Sequence, residues 1–282
     1  MVRTISEIRE VLSSPEILVN FEPVISRISA IKSKAVSNGD EKTAKNLWCL
    51  ESVAEIQQYY LEAFTKIKNG QFFEAWCSLE QVELALNRLR RHFVDEWTNL
   101  RLDFIDQKVV SLQSLYPYRI FMSPELIEHE KVCSICERPI SIRSPCGHRV
   151  GEIYEGKWCG RIVTKCDFVG MSFVETPLQK YSVPFLSDPE TGKSRDHYDY
   201  RLVNYLGIRW PSPYQDWEVR WTTALHAKER FGTLGNNDKC PCDSGKEYKN
   251  CCLDRRGIIR PHVVFEFRFP IPEHLQTIEM GD

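Results

Sequence analysis

Four cysteines lie within thirteen residues near the C-terminal end of this 282-residue sequence. They are Cys240, Cys242, Cys251 and Cys252, in two close pairs. The run between the pairs contains Asp243-Ser244-Gly245, residues that favour turns, so the second pair can fold back onto the first. Zinc takes four soft ligands in a tetrahedron, and each pair can supply two of them. Because so short a segment cannot bury a core, the spacing predicts a hook organised by zinc.

This stretch resembles the SEC-C motif, the small zinc hook at the C-terminus of the preprotein translocase motor SecA. That family reads approximately C-P-C-G-S-G-K-K-Y-K-x-C-[CH], and the four cysteines fall on its zinc ligands. The other matching positions are Ser244, Gly245, Lys246, Tyr248 and Lys249. Asp243 stands where the family usually has glycine, and aspartate can adopt a glycine-like conformation at modest cost. The resemblance implies a zinc module, which the family attaches to many unrelated proteins.

A second cysteine cluster begins more than seventy residues before the hook. Its candidate ligands are Cys133, Cys136, Cys146, His148, Cys159 and Cys166. The first two form C-x2-C and are the surest pair. Two more ligands come from the next three candidates, and the spacing leaves open which. Cys166 lies in a strand pattern and is expected to be a buried thiol. The two clusters together predict two structural zinc ions per chain.

The elements that must carry these clusters change character along the chain. Residues 40–94 hold two apolar helical stripes joined at Asn69-Gly70, which predicts an antiparallel helical hairpin. A third helix is expected over about 97–114. Strand-like runs follow at 162–164, 168–174 and 262–269. The sequence therefore predicts an α+β protein: an N-terminal helical hairpin or bundle, a zinc-ribbon-like β segment and a small SEC-C zinc hook.

Changes in composition predict how the chain is organised. We expect a helical domain at 1–125, a zinc-ribbon-like domain at 128–186, a linker with an aromatic-rich helical or irregular segment at 187–235, the hook at 236–256, and a C-terminal strand and tail at 257–282. The aromatic residues of 198–230, among them Trp210, Trp217 and Trp221, are expected to pack as core.

Composition excludes several classes of protein. A net charge of −2 argues against a protein coated in basic charge for nucleic acid. The N-terminus shows no signal-peptide pattern, and no apolar run approaches the length of a membrane span. Eleven cysteines without a secretion signal indicate metal ligands and reduced thiols, so we expect a cytoplasmic protein.

A binding or adaptor protein is the first functional class. Its zinc sites would be structural, and the resemblance implies that the hook docks a protein partner, with a chaperone or a ribosome-associated protein as candidates. The same resemblance implies an exposed docking surface at Lys246, Tyr248 and Lys249. The oligomeric state is not predicted.

The alternative is a nucleic-acid-binding zinc ribbon. Residues 131–165 contain seven basic residues against three acidic ones, a bias that can grip phosphates. The cysteine and glycine spacing from Cys133 to Cys159 also resembles zinc segments of some phage-associated proteins, which suggests a phage or defence context. An enzyme is a third class without a supporting constellation, because neither H-E-x-x-H nor a deaminase-type H-x-E with P-C-x-x-C occurs.

Overall fold

A computed structural model describes residues 4–14, 20–93 and 97–276. Its helices are α1 (Ile5–Ser13), α2 (Glu22–Ser37), α3 (Glu41–Lys68), α4 (Phe72–Leu89), α5 (Leu102–Ser114), α6 (Arg201–Arg209) and α7 (Glu273–Gln276). Its strands are β1 (Phe121–Cys133), β2 (Ile153–Tyr154), β3 (Lys157–Trp158), β4 (Arg161–Val174), β5 (Leu186–Ser187), β6 (Ser194–Arg195), β7 (Trp217–His226) and β8 (Ile258–Phe267). The chain divides into two compact units, between Ile208 and Arg209.

The helical hairpin predicted for residues 40–94 is confirmed as α3 and α4. Asp40 caps α3, since its carboxylate accepts a hydrogen bond from the Thr43 backbone N–H over 3.0 Å. The helix ends at Asn69-Gly70, and Gly70 has a φ of +73°, a conformation that glycine adopts without strain. Apolar residues on the facing sides of both helices are fully buried, among them Leu47, Leu50, Val53, Leu79, Val82 and Leu86. The N-terminal helical region and the mixed helix and strand content confirm the α+β class.

The third helix begins later than the sequence predicts. Residues 97–100 form turns, and α5 begins at Leu102. The reason is Arg101, which has a φ of 61° and therefore interrupts any right-handed helix that runs through it. The carbonyl of Trp97 accepts the Leu102 N–H over 2.9 Å and closes this turn.

Strands β1 and β4 form a two-stranded antiparallel ribbon that the sequence predicted only in part. Phe121 pairs with Val174 at one end and Cys133 with Arg161 at the other. Most residues of both strands are exposed, and within the described ranges no third strand pairs with them. The expectation that Cys166 is a buried thiol is therefore wrong: it lies on β4 and is exposed.

The second unit is built on another antiparallel ribbon, formed by β7 and β8. Its register runs from Trp217 opposite Phe267 to His226 opposite Ile258. The sequence predicted β8 near 262–269 but not β7, which lies in the segment expected to be helical or irregular. Trp217 is buried as expected, whereas Trp221 is 45% exposed, so its expected core position is wrong. Trp221 lies in a two-stranded ribbon, opposite Val263.

The division of the sequence into five segments stays a prediction, and residues 277–282 of the predicted tail lie outside the described residues. In the described ranges, no helix combines the length and the apolar character that crossing a membrane requires.

Candidate metal centres

The four cysteines of the hook meet in space. Their Sγ atoms all lie within 4.8 Å of one another. The distance is 3.4 Å from Cys242 to Cys251 and 3.8 Å from Cys251 to Cys252. A tetrahedron with metal–sulfur bonds of about 2.3 Å requires sulfurs about 3.8 Å apart. The group can therefore hold a metal ion with four sulfur ligands.

Two left-handed residues make the turn that brings the cysteine pairs together. Asp243 has a φ of 61° and Gly245 a φ of 73°. The Cys240 N–H donates to the Lys246 carbonyl over 2.8 Å and closes the loop. Asp243 thus has the conformation that its glycine-like position predicts. Arg260 of β8 donates to the Asp243 carboxylate over 2.5 Å and to the Pro241 carbonyl, which ties this turn to the ribbon.

The hook has a small core of its own. Its buried members are Cys240, Tyr248, Cys252 and Ile258, the first residue of β8. Phe231 and Leu234 pack against them. Tyr248 is only 5% exposed, so the expectation of an exposed Tyr248 at the docking surface is wrong. Its ring packs in the same core as Cys240 and Cys252.

Lys246 and Lys249 are exposed, as the resemblance implies. The Lys249 ammonium donates to the Asn237 side chain over 2.7 Å and lies 3.1 Å from Glu247. The Lys246 ammonium makes no hydrogen bond or ion pair with a described residue. The hook therefore presents two cations at its surface, one held by neighbours and one available.

The environment prepares one hook thiol for metal binding. Hydrogen bonds from the Ser244 hydroxyl and from Cys240 lower the pKa of Cys242 to about 6. Burial raises the pKa of Cys252 to about 12. These surroundings favour the thiolate form of Cys242 and the protonated form of Cys252 until a cation binds.

The second candidate centre combines three cysteines with one histidine. The ligand atoms of Cys133, Cys136, Cys146 and His148 all lie within 4.8 Å of one another. The Cys133 Sγ lies 3.7 Å from the His148 Nδ1, close to the separation of about 3.6 Å that one tetrahedral metal imposes on a sulfur and a nitrogen ligand. His148 is held by the ring of Tyr154, which packs edge-on at 4.6 Å.

A tight turn presents the first two of these ligands. The Glu137 N–H donates to the Cys133 carbonyl over 2.9 Å, and Glu137 has a φ of 57°. Burial opposes ionisation of Cys133, but the backbone N–H groups of Cys136 and Ile135 point at its sulfur and lower its pKa to about 6. The turn is joined to Gly160 through two hydrogen bonds of Ser134.

Cys159 stands beside this group without belonging to it. Its Sγ lies 4.0 Å from the Cys133 Sγ. It is 1% exposed, and burial raises its pKa to about 11. Of the alternatives that the spacing left open, the structure brings Cys146 and His148 together with the C-x2-C pair and leaves Cys159 as an adjacent thiol. Cys166 is absent from the group.

The cysteine and histidine loop rests on the helical body through contacts that the sequence did not predict. The His92 ring lies 2.7 Å from the Gly151 carbonyl, and Arg91 pairs with Glu152 over 3.2 Å. The Arg88 guanidinium lies over the Trp158 ring at 5.2 Å. Gly151 has a φ of 87°, a conformation that favours glycine, and its backbone lies close to the Arg91 side chain. The basic residues at the end of α4, from Arg88 to His92, are the sequence feature that could have indicated these contacts.

Both ligand sets fill four positions with sulfur or imidazole and contain no carboxylate. Sites of this type are usually closed and structural, because no position is left for water or substrate. A metal ion bound by either ligand set would therefore cross-link loops of the chain.

Comparisons with known proteins identify only the hook. The family model "SEC-C motif" matches residues 237–254. A protein translocase subunit SecA from Nocardioides sp. is 46% identical to this chain over 41 residues, which cover 14% of this chain and 4% of that protein. No solved structure matches the chain. The stretch around Cys240, Cys242, Cys251 and Cys252 is thus a SEC-C motif, set within the connection between β7 and β8.

Proposed function

We propose that this chain is a zinc-binding interaction protein and that its hook docks a protein partner. The observation that carries the proposal is a group of four sulfur ligands in the same short loop as two exposed cations, Lys246 and Lys249. A closed site favours a structural role for the metal. A pair of cations on a rigid loop suits an acidic surface on the partner. A chaperone or a ribosome-associated protein remains the expected partner class.

Zinc fits both ligand sets better than a hard cation does, because thiolate and imidazole are soft ligands. We expect two zinc ions per chain, one held by Cys240, Cys242, Cys251 and Cys252 and one by Cys133, Cys136, Cys146 and His148. Elemental analysis of purified protein tests this, and one zinc or none per chain would contradict it.

The docking role is tested by reversing the two cations in Lys246→Glu/Lys249→Glu. Zinc content and melting temperature should stay near the wild-type values, while partner capture from nuclease-treated native extract falls and association becomes slower. The matched control is Lys193→Glu/Arg195→Glu, an equal charge change at exposed residues of the other unit. If the wild-type protein and both variants capture partners equally well, the hook has a structural role and no docking role.

A specific observation favours nucleic-acid binding as the second candidate function. The segment 131–165 contains four arginines whose side chains make no ion pair with a described carboxylate: Arg138, Arg143, Arg149 and Arg161. Two of its three lysines are less available, since Lys131 pairs with Glu128 and Lys165 lies 3.9 Å from Glu130.

Two of these arginines face a cleft. Arg149 and Arg161 line a space of about 390 Å³ together with Ile140, Ile142 and Val150. Arginines beside apolar surface can hold both the phosphates and the bases of a single strand. Binding of a single-stranded oligonucleotide should then weaken steeply with salt and be lost in Arg149→Glu/Arg161→Glu. Binding that neither salt nor this variant changes would exclude the cleft.

A further inference from the structure

The ribbon of β1 and β4 carries a face that is apolar along half its length. Three cross-strand pairs make up this face: Met122 with Phe173, Pro124 with Met171, and Leu126 with Phe168. Alternate residues of one strand point to the same side, so the three β1 members share a face. The register shift after Glu125 places one extra residue in β4 and keeps Phe168 on that face. We call these six residues the apolar face.

The apolar face is open to solvent. Phe173 is 71% exposed and Phe168 is 64% exposed, and both Met171 and Leu126 are also exposed. A two-stranded ribbon is marginally stable in water unless it packs on something. An apolar patch of this size marks an interaction surface.

The opposite side of the same ribbon differs. Its pairs include Ser123 with Ser172 and Ile127 with Asp167, and the Asp167 carboxylate lies 2.8 Å from the His129 ring. Ile127 is also 54% exposed on this side, but there it lies among polar and charged groups that water can solvate. The asymmetry between the two sides indicates that one side of the ribbon is built to be covered.

We propose that the occupant is a second copy of this chain, with the two apolar faces packed together about a two-fold axis. The apolar face spans two strands from Met122 to Leu126, about 10 Å wide and 20 Å long, and two such faces packed together form a four-stranded sandwich. The six residues carry no charge, so self-pairing places no like charges opposite each other. A second copy presents a face of the same dimensions and composition.

The buried area suits a weak to moderate dimer. Taking a phenylalanine side chain as about 200 Å², Phe168 and Phe173 expose about 270 Å² per chain. With the other four residues, two copies would bury roughly 1,000 Å² in total, the lower limit for a specific interface. The dimer should therefore form in a concentration-dependent way and persist in high salt, because its contacts are apolar.

Sedimentation velocity and light scattering on the full chain test the proposal. The wild-type mass should approach 66.0 kDa, twice the 33.0 kDa chain mass, as the concentration rises to about 100 μM. The variant Phe168→Thr/Phe173→Thr replaces both rings with threonine, a β-branched residue that favours strands. It should weaken the dimer about 100-fold or more, because four rings leave the interface.

The matched control is Ile127→Thr, which removes an exposed apolar side chain from the opposite side of the same ribbon. It should dimerise like the wild-type protein. Helical circular dichroism and metal content establish that each variant is folded, and Met171→Gln provides a milder second variant. A monomer at every concentration overturns the proposal. So does a dimer that the double variant leaves intact, or one that Ile127→Thr dissociates equally well.

Discussion

Both metal groups lie in the connection between two antiparallel strands, yet the two connections are held in different ways. Residues 134–160 join β1 to β4 and lie against α4 through His92, Arg91 and Arg88. Residues 227–257 join β7 to β8, and two of the four buried members of their core, Cys240 and Cys252, are themselves candidate ligands. The same topology therefore serves a loop with external support and a loop whose interior is its metal site.

This difference sets how much each loop should depend on metal. In the hook, four unliganded thiols would face one another, and two of them belong to its four-residue buried core. The hydrogen bond from Cys240 to Lys246 and the contacts of Arg260 remain, but they do not replace that core. In the first loop, contacts to the helical body and the β2–β3 hairpin remain when the ligands are empty. Metal binding and folding should be one event in the hook and two separable events in the first loop.

The largest expected effect is that of Cys252→Ser. It should remove one metal ion per chain and unfold residues 227–257, because structural zinc contributes on the order of 10 kcal/mol to such a small module. Hydrogen exchange should show full loss of protection in that segment, while α3 and α4 stay protected. If the variant also loses helical circular dichroism, the helical body needs the hook in order to fold, and the hook is not an independent metal-dependent unit.

Cys133→Ser should have a smaller effect at the other centre. Cys133 is as buried as Cys252, at 1% exposure each, so the two substitutions are matched. One metal ion should again be lost, with a cost of about 3 kcal/mol typical of a disrupted buried site. Protection at Gly151–Trp158 should persist, because its contacts to α4 do not involve the metal. Complete loss of protection there would make the two loops equivalent.

The hook was the most predictable part of the chain because its determinants are local. The cysteine spacing and the turn at Asp243 act within thirteen residues, and the structure brings the four thiols together as predicted. Tyr248 was placed wrongly because motif spacing does not tell whether a residue faces solvent or Ile258, which follows the motif. The first centre was predicted as a set of alternatives, since its ligands are chosen by the docking of a longer loop.

The strands were harder to predict from the sequence than the hook. β1 and β7 were missed, whereas β4 was partly predicted from its apolar runs. β1 contains Pro124 and three glutamates (Glu125, Glu128 and Glu130), a composition that disfavours strands. It forms a strand by pairing with β4, which is distant in sequence. The helices were predicted because their apolar stripes are buried against each other, but the start of α5 depended on the backbone conformation of the single residue Arg101.

Cys159→Ser sharpens the comparison at the first centre. If Cys133, Cys136, Cys146 and His148 hold the metal, this variant should keep two metal ions per chain, at a cost of about 1 kcal/mol for the lost packing. His148→Ala should lose one ion. Elemental analysis of both variants checks this. If Cys159→Ser loses a metal ion and His148→Ala keeps both, the fourth ligand is Cys159 and not His148.

The smallest effect is expected at Asp243, where the hook departs from the usual glycine. Asp243→Gly should relieve about 1 kcal/mol of backbone strain at a φ of 61°. It also removes the ion pair with Arg260, a partly exposed contact that contributes about 0.5 to 1 kcal/mol. The two effects oppose each other, so the net change in the free energy of unfolding should be under about 1 kcal/mol.

A double-mutant cycle separates these two effects. Arg260→Met removes the guanidinium but keeps an apolar side chain on β8, and it also breaks the hydrogen bond to the Pro241 carbonyl. In the Arg260→Met background, Asp243→Gly should therefore be clearly stabilising, because only the backbone strain is left to relieve. The measurement is hydrogen exchange of residues 227–257 at saturating metal. If Asp243→Gly has the same effect in both backgrounds, Asp243 and Arg260 are not coupled, and the hook is tied to its ribbon by Pro241 and the Ile258 core alone.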